Sequence, residues 1–68
     1  MILSVECELE EDGRWIAEVV DLPGALAYGA TSDEAIASAK ALALCAVGER
    51  LEYSEPGPDP AHITFVTL

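Results

Sequence analysis

Basic side chains are the scarcest feature of this sequence. Only three of its 68 residues are lysine or arginine, against thirteen aspartates and glutamates, and the formal net charge is −10. A protein that holds a nucleic-acid backbone needs lysines and arginines to displace counterions. Because Arg14, Lys40 and Arg50 are scattered, we expect no direct binding of DNA or RNA. The acidity suits a basic protein partner, although it would also keep an apolar-rich chain in solution.

Cysteine and long apolar runs are scarce as well. Cys7 and Cys45 lack C-x-x-C spacing and fall in a strand pattern and a helix pattern. We therefore expect two small buried hydrophobic residues, with neither a disulfide nor a metal site. No apolar run approaches the ~20 residues of a membrane span, and glutamates from Glu6 onward interrupt any signal peptide. We predict a cytoplasmic protein that does not bind membranes.

The chain is short but rich in apolar residues. We expect one domain over 1–68, and chains of this size bury only about 60% of their unfolded surface and are marginally stable alone. Since 51% of the residues are hydrophobic, a single copy has more apolar surface than it can cover. We predict a homo-oligomer, a dimer or a tetramer, or a protein covered by a partner.

Alternation of apolar and polar residues predicts three strands in the first part of the chain. Residues 2–10 alternate, with glutamates on one face and apolar side chains on the other. Asp12-Gly13 is a tight-turn signal, so Trp15 to Val20 should pair back antiparallel. The turn at Asp21-Leu22-Pro23-Gly24 then leads to a third strand over about 25–28.

A helix is predicted next. Thr31 occupies an N-cap position and Glu34 stands three residues later, as in a capping box. Good helix formers continue from Ser32 to about Gly48 or Arg50. The stripe that we expect to cover the sheet comprises Ala35, Ile36, Ala39, Leu42, Ala43 and Ala46.

The last part of the chain is predicted to return to the sheet. Residues 51–60 form a connector, because three prolines within 56–60 exclude a helix or an interior strand. A strand pattern resumes over 61–68, and a strand after a helical crossover usually runs parallel to a neighbour. The prediction is a two-layer α+β domain of order β-β-β-α-β. It has an antiparallel meander, one covering helix and a final parallel strand beside the first.

The most distinctive motif lies between the second strand and the helix. It comprises Asp21-Leu22-Pro23-Gly24, then Gly29, then Thr31-x-x-Glu34-Ala35, and the Asp12-Gly13 turn and Trp15 precede it. In this combined spacing the chain resembles the HicB-like antitoxins, the small acidic partners of HicA-type mRNA-cleaving toxins. The resemblance covers about residues 1–50. The motif residues themselves are expected to act as turn and cap.

The resemblance implies a fold, a partner and a mechanism. The fold would be a partial ribonuclease-H-like fold. The partner would be a small basic ribonuclease of dsRNA-binding fold, which the antitoxin keeps from RNA by occlusion. Longer members add a ribbon-helix-helix or helix-turn-helix segment that binds operator DNA. This sequence stops at Leu68 after a strand, so we do not carry DNA binding over.

The uncovered face of the sheet is the first candidate binding surface. It should carry carboxylates beside β-branched apolar residues, with Ser4, Val66 and Leu68 on the same side. Such a mixture is typical of an interface with a polar rim, and a solvent face with stray hydrophobic residues is the alternative. The residues that we expect to contact a partner are Glu6, Glu8, Ile16, Glu18 and Val20.

The outward side of the helix is the second candidate. Apolar residues continue there as Ala37, Ala41, Leu44, Val47 and Leu51. A two-layer domain cannot bury such a side by itself, so we expect self-association or partner docking there. The predicted oligomer interface comprises Leu44, Val47 and Leu51.

Catalysis is not expected. A two-metal nuclease on this scaffold would have to use the carboxylates Glu6, Glu8, Glu18 and Asp21. The helix would add only Asp33 and Glu34, which serve its N-terminus. His62 is the only histidine, the candidate nucleophile Ser54 lies in the connector, and no phosphate-binding glycine loop is present. No cofactor or metal is predicted.

The leading hypothesis is therefore an antitoxin of a type II toxin–antitoxin system. Such a protein binds and occludes a HicA-type toxin and is not an enzyme. The alternative is a stand-alone oligomeric adaptor or ligand-binding module without a toxin partner.

Overall fold

The computed structural model describes residues 1–52 and 63–68, apart from the side chains of residues 50–52. This part of the chain contains β1 (Ile2–Leu9), β2 (Trp15–Val19), β3 (Leu26–Gly29), α1 (Ser32–Glu52) and β4 (Thr64–Thr67). The strands form one mixed sheet with the helix packed on one face. The α+β class and the order of elements agree with the sequence prediction.

The sheet has the strand order β3-β2-β1-β4. β2 is antiparallel to both β1 and β3. β4 runs parallel to β1, with Ile2 opposite Thr64 and Val5 opposite Thr67. The amide of Thr64 donates to the carbonyl of Met1 at 2.9 Å, and that of Leu68 to the carbonyl of Val5 at 2.8 Å. The final strand therefore lies beside the first, as predicted.

The core lies between the sheet and the helix and consists of alanines, valines and two leucines. Its buried members are Leu3, Val5, Ala17, Val19, Leu22, Ala25, Ala35, Ala39, Ala43 and Val47. The members from β1 and β2 have the parity that alternation predicts. The four helical members recur at every fourth position, and three of them are alanines. A row of such small side chains lets the helix approach the sheet closely.

Two helical residues differ from the sequence prediction. Leu42 was expected to face the sheet, but it is 45% exposed, whereas Val47, expected on the outward side, is 1% exposed. The helix is rotated so that the row from Ala35 to Val47 faces the sheet. Leu42 precedes a member of this row by one residue and therefore lies on its flank. Ile36 and Ala46 are half-buried.

The helix continues to Glu52, past the predicted end at Gly48 or Arg50. Gly48 does not end it, because the left-handed backbone that terminates helices occurs among the described glycines only at Gly13 and Gly24. The predicted connector beyond residue 52, with Ser54, lies outside the described residues, as does His62. No helix within residues 1–52 and 63–68 is both long and apolar enough to cross a membrane.

The helix covers the sheet unevenly. It packs chiefly on β3 and β2, less on β1, and barely reaches β4. Phe65 of β4 faces the helix side and is only half-buried, with the Lys40 ammonium 5.4 Å from the centre of its ring. Within residues 1–52 and 63–68, no element covers the outer face of the sheet, and the helix leaves β4 partly uncovered.

Candidate functional site

The turn after β2 ties the end of that strand to β1. The Asp21 carboxylate accepts the amide of Ser4 at 2.7 Å, and the Val20 amide donates to the Ser4 carbonyl at 3.0 Å. The Asp21 side chain thus extends the backbone ladder past the end of β2. Leu22 is buried in the core, and Gly24 has a φ of 89°, which favours glycine.

The junction of β3 and α1 is held by a close approach and by a cap. A Cβ on Gly29 would lie 2.5 Å from the amide nitrogen of Ala35. The Thr31 hydroxyl accepts the amide of Glu34 at 3.2 Å, and the Glu34 carboxylate accepts the amide of Ala30 at 3.0 Å. In a capping box the Glu34 carboxylate would accept the amide of Thr31 itself, but here it accepts the amide of the preceding residue, Ala30. These contacts fix the start of the helix against the sheet.

The β1–β2 hairpin holds the Arg14 guanidinium over the aromatic ring of Tyr28. Asp12 accepts the Arg14 amide at 3.0 Å and the Arg14 Nε at 2.8 Å. These two hydrogen bonds lower the pKa of the Asp12 carboxyl below its usual 3.8. The stabilisation from these hydrogen bonds is fully present when the pH is above the pKa of Asp12 in the unfolded chain. It is lost as the pH falls through the lower pKa of Asp12 in the folded chain. The Arg14 guanidinium lies 4.5 Å from the centre of the Tyr28 ring.

The face of the sheet opposite the helix, here called the open face, brings the predicted partner residues together. Strand pairing places Glu6 opposite Glu18, Glu8 opposite Ile16, and Ser4 opposite Val66. All five predicted partner residues have this parity. The residues of the open face are Ile2, Ser4, Glu6, Glu8, Ile16, Glu18, Val20, Leu26, Tyr28, Thr64, Val66 and Leu68.

The middle of the open face holds an acidic centre of Glu6, Glu8 and Glu18. Residues directly opposite each other on antiparallel strands have Cβ atoms about 4.5–5.5 Å apart, so Glu6 and Glu18 are close neighbours. None of the three makes a salt bridge with a lysine or arginine side chain that the structure describes. They line a shallow groove of about 160 Å³ together with Ile16 and Leu26. The carboxylates are therefore clustered, and no described basic side chain neutralises them.

Large apolar side chains surround the acidic centre. Six of them are between 39% and 69% exposed: Ile2, Val20, Leu26, Tyr28, Val66 and Leu68. Ile2, Leu26 and Tyr28 were not among the predicted residues. The alternation of Leu26 and Tyr28 with alanines was the available signal, but four residues are too few to assign a face. Pairing with β2 assigns it, since Leu26 lies opposite Glu18 and Tyr28 opposite Ile16.

Of the three apolar residues predicted for an oligomer interface on the outward side of the helix, the structure shows one exposed. Leu44 is 46% exposed. Val47 belongs to the core, so its predicted place in an oligomer interface is wrong, and the side chain of Leu51 lies outside the described residues. Cys45 is exposed, so the prediction that it is buried is wrong, whereas Cys7 is half-buried and packs against the core. Cys45 is exposed because it lies two residues beyond the buried Ala43 and therefore outside the row that faces the sheet.

The acidic residues do not converge as metal ligands would. Within residues 1–52 and 63–68, no group of three or more histidine, cysteine, aspartate or glutamate side chains is placed to hold a metal ion. Asp21, which completed the predicted carboxylate set, is engaged by the Ser4 amide.

Comparison with protein-family models, with curated proteins and with solved structures finds no match in any of the three.

Proposed function

We propose that this chain is a HicB-like antitoxin with a partial ribonuclease-H-like fold. It binds a small basic HicA-type ribonuclease through its open face, in the cytoplasm, and keeps RNA from that enzyme. The observation that carries the proposal is the unneutralised acidic centre of Glu6, Glu8 and Glu18 within an exposed apolar surface.

The electrostatic argument starts from the pairing of Glu6 with Glu18. Like charges directly opposite each other in a sheet destabilise the fold, and no described lysine or arginine relieves the repulsion. Arginine or lysine side chains from another protein would convert it into charge-assisted hydrogen bonds. The acidic centre is thus better suited to a complex than to the isolated chain.

The apolar residues around the acidic centre supply the rest of the interface. Leu26, Tyr28 and Val20 lie within reach of the carboxylates and are partly exposed. Apolar contact removes water, and charge complementarity selects a basic partner and its orientation. A ribonuclease binds phosphates with basic side chains, so carboxylates bound to those side chains would exclude RNA. Occlusion follows without any chemical step.

We expect a neighbouring reading frame to encode a short basic protein, and that protein is the partner used in the test. The two proteins are co-expressed and separated by size-exclusion chromatography, and their affinity is measured by calorimetry. We expect co-elution, and the double variant Glu6→Gln/Glu18→Gln should bind about tenfold more weakly or worse, because complementary charges are lost. Absence of co-elution at micromolar concentration would contradict the proposal.

A matched control separates local from overall charge. Glu11→Gln/Glu49→Gln removes the same two charges from exposed positions outside the open face. This control should keep nearly the affinity of the parent. Equal weakening by both double variants would mean that net charge, and not the acidic centre, drives association.

The alternative of a stand-alone adaptor or ligand-binding module is supported by a different feature. Pro23, Ala25, Leu42 and Ala46 line an open groove of about 250 Å³ between the turn and the helix. If the chain ignores the basic protein but takes up an apolar probe here, the adaptor is the better description. Leu42→Glu should then abolish uptake, and Leu44→Glu, outside the groove, should not.

A further inference from the structure

One half of the sheet carries no charged side chain. Residues 1–5 and 63–68 contain no aspartate, glutamate, lysine, arginine or histidine, although the chain as a whole has a net charge of −10. These two stretches are adjacent, since β4 pairs with the first half of β1. The acidic residues of β1 begin at Glu6, one residue beyond the last β1–β4 pair, in which Val5 lies opposite Thr67. The sheet is thus divided into a neutral half and an acidic half.

β4 is the edge strand of the half without charged side chains, and its outer backbone groups pair with no other strand in the described part of the chain. The amides of Thr64 and Leu68 donate inward to β1, and amide directions alternate along a strand. The amides and carbonyls of Phe65 and Thr67 therefore point away from the sheet. No lysine, proline or other edge-blocking residue lies in Thr64–Thr67. This edge can pair with another strand.

We infer that β4 pairs antiparallel with β4 of a second copy and makes one continuous eight-stranded sheet. Two chains of charge −10 repel, so their closest approach is favoured where neither sheet carries acidic side chains. The residues beside the edge are apolar or hydroxyl-bearing, and Val66 is 42% and Leu68 69% exposed. Lys40 above Phe65 brings a positive charge, which offsets the repulsion.

The other edge of the sheet is less suited to a second copy. Leu26 of β3 lies opposite Glu18. The Arg14 guanidinium lies over the ring of Tyr28 in β3 and donates a hydrogen bond to Asp12. The helix begins directly after β3, with Asp33 and Glu34 in its first turn. Charges therefore border β3, whereas Lys40 is the only charged side chain shown against β4 among the described residues. Self-association at β4 also leaves the acidic centre uncovered, so it is independent of the proposed toxin binding.

The oligomeric state of the full chain is measured by sedimentation velocity over a range of concentrations. We expect a dimer, and Val66→Lys should raise its dissociation constant by about tenfold or more, because two like charges would meet at the edge. The control Leu44→Lys makes the same charge change at a similarly exposed position on the helix and should leave the dimer intact. Thr67→Pro, which removes an outward amide, should also dissociate it.

Amide exchange measured by NMR gives a second readout without substitution. The amides of Phe65 and Thr67 should exchange more slowly as the concentration rises, whereas the inward amide of Thr64 should be protected throughout. A chain that remains monomeric at all concentrations overturns the inference. So does a dimer that Leu44→Lys dissociates, or one in which Phe65 and Thr67 exchange freely.

Discussion

The segment from Asp21 to Ala35 and the second half of α1 differ in how many contacts fix each residue. In the first, an aspartate completes a strand ladder, a glycine permits close packing, and a threonine caps the helix. In the second, one residue in four reaches the core, and Leu42 and Leu44 are exposed. The connections therefore specify the fold, and we expect the end of the helix to tolerate substitution. Substitutions in the two regions should differ accordingly.

The largest effect is expected at Gly29. Gly29→Ala places a Cβ 2.5 Å from the backbone nitrogen of Ala35, and overpacking of this kind costs about 1–3 kcal/mol. Because the obstructing atom belongs to the backbone, we expect the upper end of that range. Urea unfolding followed by circular dichroism measures it. A loss below about 0.5 kcal/mol would place this change among ordinary surface substitutions and would show that the helix start can shift.

The next effect is expected at Asp21. Asp21→Ala removes the acceptor of the Ser4 amide, and hydrogen bonds to charged groups contribute about 1.5–3 kcal/mol. Since the bond is exposed, we expect the lower end in the same urea experiment. Asp21→Asn keeps an oxygen acceptor and should recover part of the loss. If both variants unfold as the parent does, the bond contributes nothing to stability.

Loss of the cap at Thr31 should have a smaller effect. Thr31→Ala removes the oxygen that accepts the Glu34 amide, and such substitutions cost about 1 kcal/mol. Thr31→Ser retains the hydroxyl and serves as the control in thermal unfolding. A melting temperature equal to that of the parent for the alanine variant would show that the helix starts elsewhere.

The smallest effect, and one of opposite sign, is expected at Gly48. It lies inside the helix with no heavy atom within 4 Å of a built Cβ. Gly48→Ala should therefore stabilise the chain by about 0.5–1 kcal/mol, the difference in helix propensity. It is also the matched control for Gly29→Ala, measured under the same conditions. Destabilisation at Gly48 would remove the contrast between the two regions.

The sequence predicted the order of elements because the local signals were strong and agreed with one another. Alternation in β1, the turn at Asp12-Gly13 and the Thr31–Glu34 cap each indicate one structure. The parallel return of β4 followed from the crossover rule. The observed elements differ from the predicted ones only in where they begin and end; for example, β3 occupies Leu26–Gly29 instead of 25–28.

The rotation of α1 could not be predicted from its sequence. The helix is apolar on several sides, so more than one stripe could have faced the sheet. Packing against β2 and β3 selects the row of alanines that ends at Val47 and leaves Leu42 outside. Likewise, the place of Leu26 and Tyr28 beside the acidic centre depends on pairing with β2. Periodicity within four residues does not specify that pairing.

The two basic side chains that the structure describes both stand over aromatic rings, Arg14 over Tyr28 and Lys40 over Phe65. Thirteen acidic residues are left with little internal compensation, so the negative potential extends outward into solution. Dissolved salt screens such a potential within about 8 Å at physiological ionic strength. Raising the ionic strength should consequently make the isolated molecule harder to unfold, while slowing its encounter with any cationic protein.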